Sequence, residues 1–154
     1  MKLSLAVVGP VLVLSAACSH LRKVAPSEGE ENNRQVVLAF YNEGLVNLHP
    51  RSAFERYVSE DFVEHKPDVA GGTRAATIVF LEGLIKEVPE PKWEVVRTIA
   101  EGNLVFLHAR FSPAHGAPAY AVADVFRLSH GKIVEHWDVV APPVKQQLNP
   151  HPRF

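Results

Sequence analysis

The sequence predicts an α+β fold, with three helices on one face of a curved four-stranded antiparallel sheet. Two observations carry this. Apolar residues recur every three to four positions through the first half of the chain, and the period changes to two after Pro91. The segments of period two are joined by short turns, so consecutive strands pair antiparallel. Helices first and a meander second segregate the helices to one side of the sheet. Such a sheet encloses a cavity wherever its helix-facing side chains leave the space unfilled.

The elements follow in order. Asn32 or Asn33 can cap a first helix, whose apolar face is Val36, Val37, Phe40, Tyr41, Leu45 and Leu48. The segment 47–50, ending in His49-Pro50, stops it. Ser52 can cap a short second helix carrying Ala53, Phe54 and Tyr57. Residues 60–67 form a brief extended piece that runs into a loop. Gly71-Gly72-Thr73 leads into a third helix with Thr77, Leu81, Leu84, Ile85 and Val88 at helical spacing, ended by Pro89 and Pro91. Strands are expected over 93–100, 104–112, 119–129 and 132–141. Their turns are Glu101-Gly102-Asn103, the loop 113–118 and His130-Gly131. Pro142-Pro143 ends the sheet.

Length and composition bound the rest. The 154 residues suit one domain, and 47% hydrophobic with 21% charged residues supports a packed core. The formal charge of −1 shows no basic surplus for nucleic acid, and the aromatics do not alternate with a basic patch. Met1 and Lys2 precede an apolar run through Leu14 and the small residues Ser15-Ala16-Ala17, which is the pattern of a secretory signal over residues 1–17. Pro10 and the short run argue against a membrane-spanning helix. Leu14-Ser15-Ala16-Ala17-Cys18 resembles a bacterial lipobox with its leucine one position further from the cysteine. Lipidation of Cys18 and plain cleavage after Ala17 are therefore both open, and either implies export to the cell envelope or periplasm. Residues 18–31 read as a tether, 32–148 as the domain and 149–154 as a tail.

Four segments resemble the SnoaL-like proteins of the nuclear transport factor 2-like superfamily. They are Phe62-Val63-Glu64-His65-Lys66-Pro67, Ile99-Ala100-Glu101-Gly102-Asn103-Leu104-Val105, Asp124-Val125-Phe126-Arg127 and Gly131-Lys132-Ile133-Val134-Glu135-His136-Trp137-Asp138-Val139. The resemblance covers residues 33–148. It implies a cone-shaped α+β barrel, commonly dimeric, and polyketide-cyclase chemistry: ring closure by intramolecular aldol condensation without a cofactor. Lys66 stands where the family usually has asparagine, and Ala141-Pro142 where it often has glutamine. Both departures fall where the mouth of a pocket belongs, so the substrate does not carry over.

The strand 119–129 places Tyr120, Val122, Asp124, Phe126 and Leu128 on one face. Asp124 is the sole ionisable group of that bulky face, and a carboxylate there is costly unless it is hydrogen-bonded or functional. Burial makes it a stronger base than a surface aspartate, which suits proton removal beside a carbonyl. A structural aspartate bonded to backbone or tyrosine is the alternative. His108 shares a strand face with Phe106. If paired residues across the loop 113–118 have an even sum, His108 and Asp124 face one cavity, and His108 can orient the aspartate or donate to an enolate. An odd sum puts His108 outside. A two-residue His130-Gly131 turn sets Trp137 opposite Asp124, whereas a three-residue loop sets His136 there. The shorter turn is favoured. It leaves His136 and Asp138 on the other face, available to a dimer contact.

Asp124 and His108 (or His136) are thus the catalytic candidates. Tyr41, Phe106, Tyr120, Phe126 and Trp137 are candidates for the apolar wall, with His65 at the mouth. His65, His108 and His136 match no metal-binding spacing, and no metal or cofactor is expected. Two functions follow: a cofactor-independent enzyme of the aldol-condensation or isomerase type, and a non-catalytic module that binds a small hydrophobic ligand at the bacterial cell envelope.

Overall fold

The computed structural model describes residues 25–154. The leader 1–17 and Cys18 lie outside the described residues.

The first helix, α1, spans Glu28–Tyr41 and starts four residues before the expected asparagines. The reason is a capping box: Ser27 Oγ accepts from Glu30 N at 3.3 Å, and Ser27 N donates to Glu30 Oε2 at 2.7 Å. The last part of the expected tether is therefore helix. A π-helical turn, Asn42–Val46, continues α1. The short helix α2 is Pro50–Tyr57, with proline in its first turn, where the missing N–H costs nothing. Helix α3 is Arg74–Glu87, capped by Thr73.

The sheet has five strands, not four. Strands β2 (Lys92–Glu101), β3 (Leu104–Ser112), β4 (Tyr120–Ser129) and β5 (Lys132–Ala141) form the expected antiparallel meander. The extended piece before the loop is a full strand, β1 (Val58–Glu64), and it pairs parallel with β5. The order is β1-β5-β4-β3-β2. Here α3 and β2 to β4 intervene between β1 and its neighbour, a pairing that local periodicity does not reveal.

The inner face meets the helices through a cluster that includes Val37, Phe40, Phe54, Phe62, Leu107 and Phe126. Phe40 sets its ring edge-on to Phe54 at 5.1 Å and to Phe126 at 5.8 Å, tying α1 to α2 and β4. Each such side chain removed from water contributes about 1.5–3 kcal/mol.

Candidate functional site

Two registers decide what faces the cavity. On the β3–β4 ladder, Leu107 pairs with Asp124 and Ala109 with Val122, so the paired numbers sum to odd values. Val105, Leu107 and Ala109 point inward and are fully buried. His108 and Phe106 therefore lie on the outer face, against the expectation that they serve the site. His108 sits there with Nδ1 2.8 Å from Arg97 Nη1 and its ring over Phe154. Burial, then the charges of Arg97 and Arg153, hold this histidine below its ordinary pKa.

The β4–β5 hairpin has the two-residue turn, with His130 at φ 50° and Gly131 at φ 74°, the left-handed pair that tight hairpins use. Near it, Leu128 pairs with Ile133. One step further Arg127 pairs with Glu135, and Val134 is left without a partner. This bulge advances the register by one. Asp124 consequently pairs with Asp138, while Trp137 pairs with Val125 on the outer face. The placement of Trp137 across from Asp124 is overturned by this one residue, and His136 and Asp138 turn inward.

His65 is also outside. Its ring stacks on Trp137 at 4.6 Å, and Nε2 lies 2.8 Å from Glu135 Oε1. Glu135 in turn pairs with Arg127. The pair His65 and Trp137 thus packs on the side of the sheet away from the helices.

Between the sheet and helices α1 and α3 lies a cavity of about 330 Å³. Tyr41, Tyr120 and Phe126 of the expected wall line it, with Asp124 and His136, the alternative catalytic histidine. So do three ionisable residues that strand periodicity did not single out: Glu64, Lys66 and Asp138. Glu64 shares the inward face of β1 with Phe62. That alternation is visible in the sequence once the segment is known to be a strand.

The centre of the site is His136. Its Nδ1 is 2.9 Å from both Oε1 and Oε2 of Glu64, and its Nε2 is 3.2 Å from Asp124 Oδ1. An imidazole with acceptors at both nitrogens satisfies both only as the doubly protonated cation. Burial alone lowers its pKa, but the hydrogen bonds and charges of Asp124 and Glu64 more than offset this and raise it to about 9. Phe126 stacks on the ring at 4.6 Å and holds its plane.

Glu64 is fixed in turn. Its backbone N–H donates to Gly72 O at 2.8 Å, and its Oε1 accepts from Lys66 N at 3.0 Å. The Lys66 ammonium reaches Asp138 Oδ2 at 2.9 Å. Asp124 is 5% exposed, and its second oxygen, Oδ2, is buried without a hydrogen-bond partner. Burial pushes the Tyr41 phenol well above its ordinary pKa, and the adjacent Asp124 carboxylate adds to this, so Tyr41 is a neutral phenol standing beside that carboxylate. The arrangement thus offers one unsatisfied carboxylate oxygen, a fixed cation behind it and an otherwise largely apolar chamber.

Comparison with known proteins places this architecture. A SnoaL-like polyketide cyclase, provisionally so described, from Jannaschia sp. CCS1 superposes with a TM-score of 0.65 at 20% identity, over 76% of this chain and 90% of that one. AclR from Streptomyces galilaeus, provisionally described as a hydroxylase, gives 0.60 at 22% identity, over 72% and 90%. An NTF2-like protein of unknown function from Mesorhizobium loti gives 0.61 at 20% identity, over 77% and 98%. No curated protein matches the sequence. At these identities the structures establish the nuclear transport factor 2-like cone fold and nothing finer. The SnoaL-like domain model matches residues 37–136, and the chain belongs to that family.

Proposed function

We propose that the protein is a small-molecule enzyme of acid–base type, acting on a neutral, largely apolar carbonyl compound by enolisation followed by aldol ring closure or isomerisation. The observation that carries this reading is that Asp124 lines the cavity with its buried Oδ2 unpartnered, while Oδ1 is held by the His136 cation. A purely structural aspartate satisfies both oxygens; a base keeps a lone pair for the substrate.

Asp124 Oδ2 takes the proton from the carbon next to the carbonyl. The C–H electron pair becomes the enolate double bond, and the carbonyl pair moves onto oxygen. The enolate carbon then attacks a second carbonyl of the same molecule, and the new alkoxide recovers the proton from Asp124. In an isomerisation the proton returns to a different carbon. His136 compensates the carboxylate throughout, with Glu64 holding the far side of its ring. These residues supply the acid–base steps themselves. The apolar leader and Cys18 of the sequence support export to the bacterial cell envelope or periplasm, and the family resemblance supports a homodimer.

The test is deuterium loss from C1-deuterated 2-tetralone, a neutral apolar ketone with an activated C–H, followed by NMR. Wild type is expected to speed exchange, and Asp124→Asn to slow it by about 10²-fold or more with the fold retained by circular dichroism. Equal rates in the two proteins sink the acid–base reading. Saturable ketone binding with no exchange in either favours a ligand-binding module.

A further inference from the structure

Lys66 is the cation of the cavity wall that the acid–base steps above leave unused. It lies two residues beyond β1, and its side chain is 19% exposed. A lysine beside an apolar chamber is costly to bury unless its charge is met. Asp138 meets it at 2.9 Å, and Asp68, mostly in solvent, stands at 3.5 Å. Asp138 itself pairs directly with Asp124 across the β4–β5 ladder. Directly opposed residues of such a ladder have Cβ atoms about 4.5–5.5 Å apart. The ammonium therefore sits one carboxylate away from the base, and both line the same cavity.

Two features set what Lys66 can do. An ammonium carries three N–H donors, and one close carboxylate leaves donor capacity to spare. The other cation of the wall, His136, has both of its donors engaged by Glu64 and Asp124. Among the lining residues Lys66 is thus the cation with a donor free for a ligand. Burial opposes its charge, but the bonds to Asp138 and Asp68 hold its pKa above the ordinary lysine value, so the cation persists at neutral pH.

The charge of the wall argues for the substrate's form. Glu64, Asp124 and Asp138 against Lys66 and His136 leave one excess negative charge. A substrate that arrives as an anion adds to that excess. A neutral one that becomes an enolate as Asp124 is neutralised leaves the total unchanged and moves the charge onto the substrate oxygen.

We propose that Lys66 is a further catalytic residue, whose ammonium donates a hydrogen bond to the carbonyl oxygen of a neutral substrate and stabilises the enolate that forms there. The step is a proton transfer from substrate carbon to Asp124 Oδ2. Lys66 keeps all its protons, and its bond to oxygen strengthens as the charge develops. This assignment rests on the acid–base reading of the same cavity, and it defines the substrate class as ketones or related carbonyl compounds without a resident negative charge.

The experiment uses 4-nitrophenol, whose phenolate imitates an enolate and is read by its absorbance. Asp124→Asn imitates the neutral base. In that background the bound phenol is expected to ionise about one pKa unit or more below its value in solution. Adding Lys66→Met is expected to bring its ionisation to or above the solution value. Replacing the partner instead, with Asp138→Asn, frees the ammonium and is expected to lower the phenol pKa further; this variant tests the same cation if Lys66→Met does not fold. Equal ionisation with and without Lys66, or no response to Asp138→Asn, overturns the assignment. The readout needs no turnover. A Lys66-dependent phenolate with no 2-tetralone exchange in wild type refutes the acid–base reading and, with it, the catalytic role of Lys66, while exchange with Lys66-independent phenol ionisation refutes Lys66 alone.

Discussion

Glu64 and His136 meet across the parallel β1–β5 pairing, both carboxylate oxygens standing 2.9 Å from the histidine Nδ1. The contact joins the strand hidden in the first half of the sequence to the hairpin at its end. It also makes the imidazole a structural cation. A pKa of about 9 against an ordinary 6.5 means that the folded protein binds this proton more tightly than the unfolded chain. The resulting stabilisation is complete below the unfolded value and is lost as pH rises through about 9. Its size is on the order of 3 kcal/mol. Urea unfolding is therefore expected to show stability falling between neutral pH and pH about 10. In His136→Gln the part of that decline due to this residue vanishes, and an unchanged slope contradicts the assignment.

The same contact predicts a kinetic effect. Glu64→Gln keeps the size of the side chain and removes one of the two anions beside His136. The NMR titration midpoint of the imidazole is expected to fall by about a unit or more. With the ring less firmly held, ketone exchange slows about 10- to 100-fold, and the fall in rate at high pH moves to lower pH. A lowered rate with an unmoved pH profile would mean that Glu64 supports the site by packing alone.

Most elements of this fold were legible in the sequence, β1 being the strand it hid; their phasing was not. Helical and strand periods located α2, α3 and the four-strand meander, and alternation put Asp124, Phe126 and Val122 on the buried face. Asp124 as the odd charge of an apolar face needed no partner to be noticed. Which histidine joined it depended on two integers that alternation does not contain. An odd sum across the loop 113–118 removed His108 and Phe106, and the unpaired Val134 exchanged Trp137 for His136. A shift of one residue inverts every side chain, so an error of one in a turn or bulge changes the site completely. Glu64 was hidden for another reason: its strand finds its neighbour some seventy residues away.

His108 offers a check on that correction. It faces away from the cavity, held by Arg97 and Phe154. His108→Ala is expected to leave 2-tetralone exchange within about twofold of wild type, because removing an exposed contact of this kind costs about 0.5 kcal/mol or less. A loss comparable to that of Asp124→Asn would require His108 to reach the cavity.

Gly72 links the loop to the site. It has φ +57°, and a Cβ there would stand 2.7 Å from Glu64 O. Gly71, with φ +79°, has open space around it. Alanine at Gly71 therefore meets the left-handed backbone penalty of about 1 kcal/mol, while Gly72→Ala adds a collision with the backbone that holds Glu64. Gly72→Ala is expected to lower the thermal midpoint by more than Gly71→Ala and to lower the His136 titration midpoint. If the two variants behave alike, the clash is relieved without moving Glu64.

The bulge at Val134 gives the sharpest test of how the hairpin builds the site. Deleting Val134 does not turn His136 outward. Ile133 and Glu135 become adjacent, Leu128 still meets Ile133 and Arg127 still meets Glu135, so His136 and Asp138 remain on the face of Asp124. What disappears is the extra local twist, and with it some of the fit of β5 to β1. The deletion variant is expected to lose about 1–3 kcal/mol of stability, the range of an ordinary single-site change. It should retain a raised His136 titration and measurable ketone exchange. Adding one residue between Glu135 and His136 instead shifts the pairing by one, so that His136 moves to the outer face across from Val125 and Trp137 turns inward across from Asp124. That variant is expected to show no exchange above buffer. If the deletion abolishes exchange while the fold persists, the bulge itself shapes the cavity beyond setting the register.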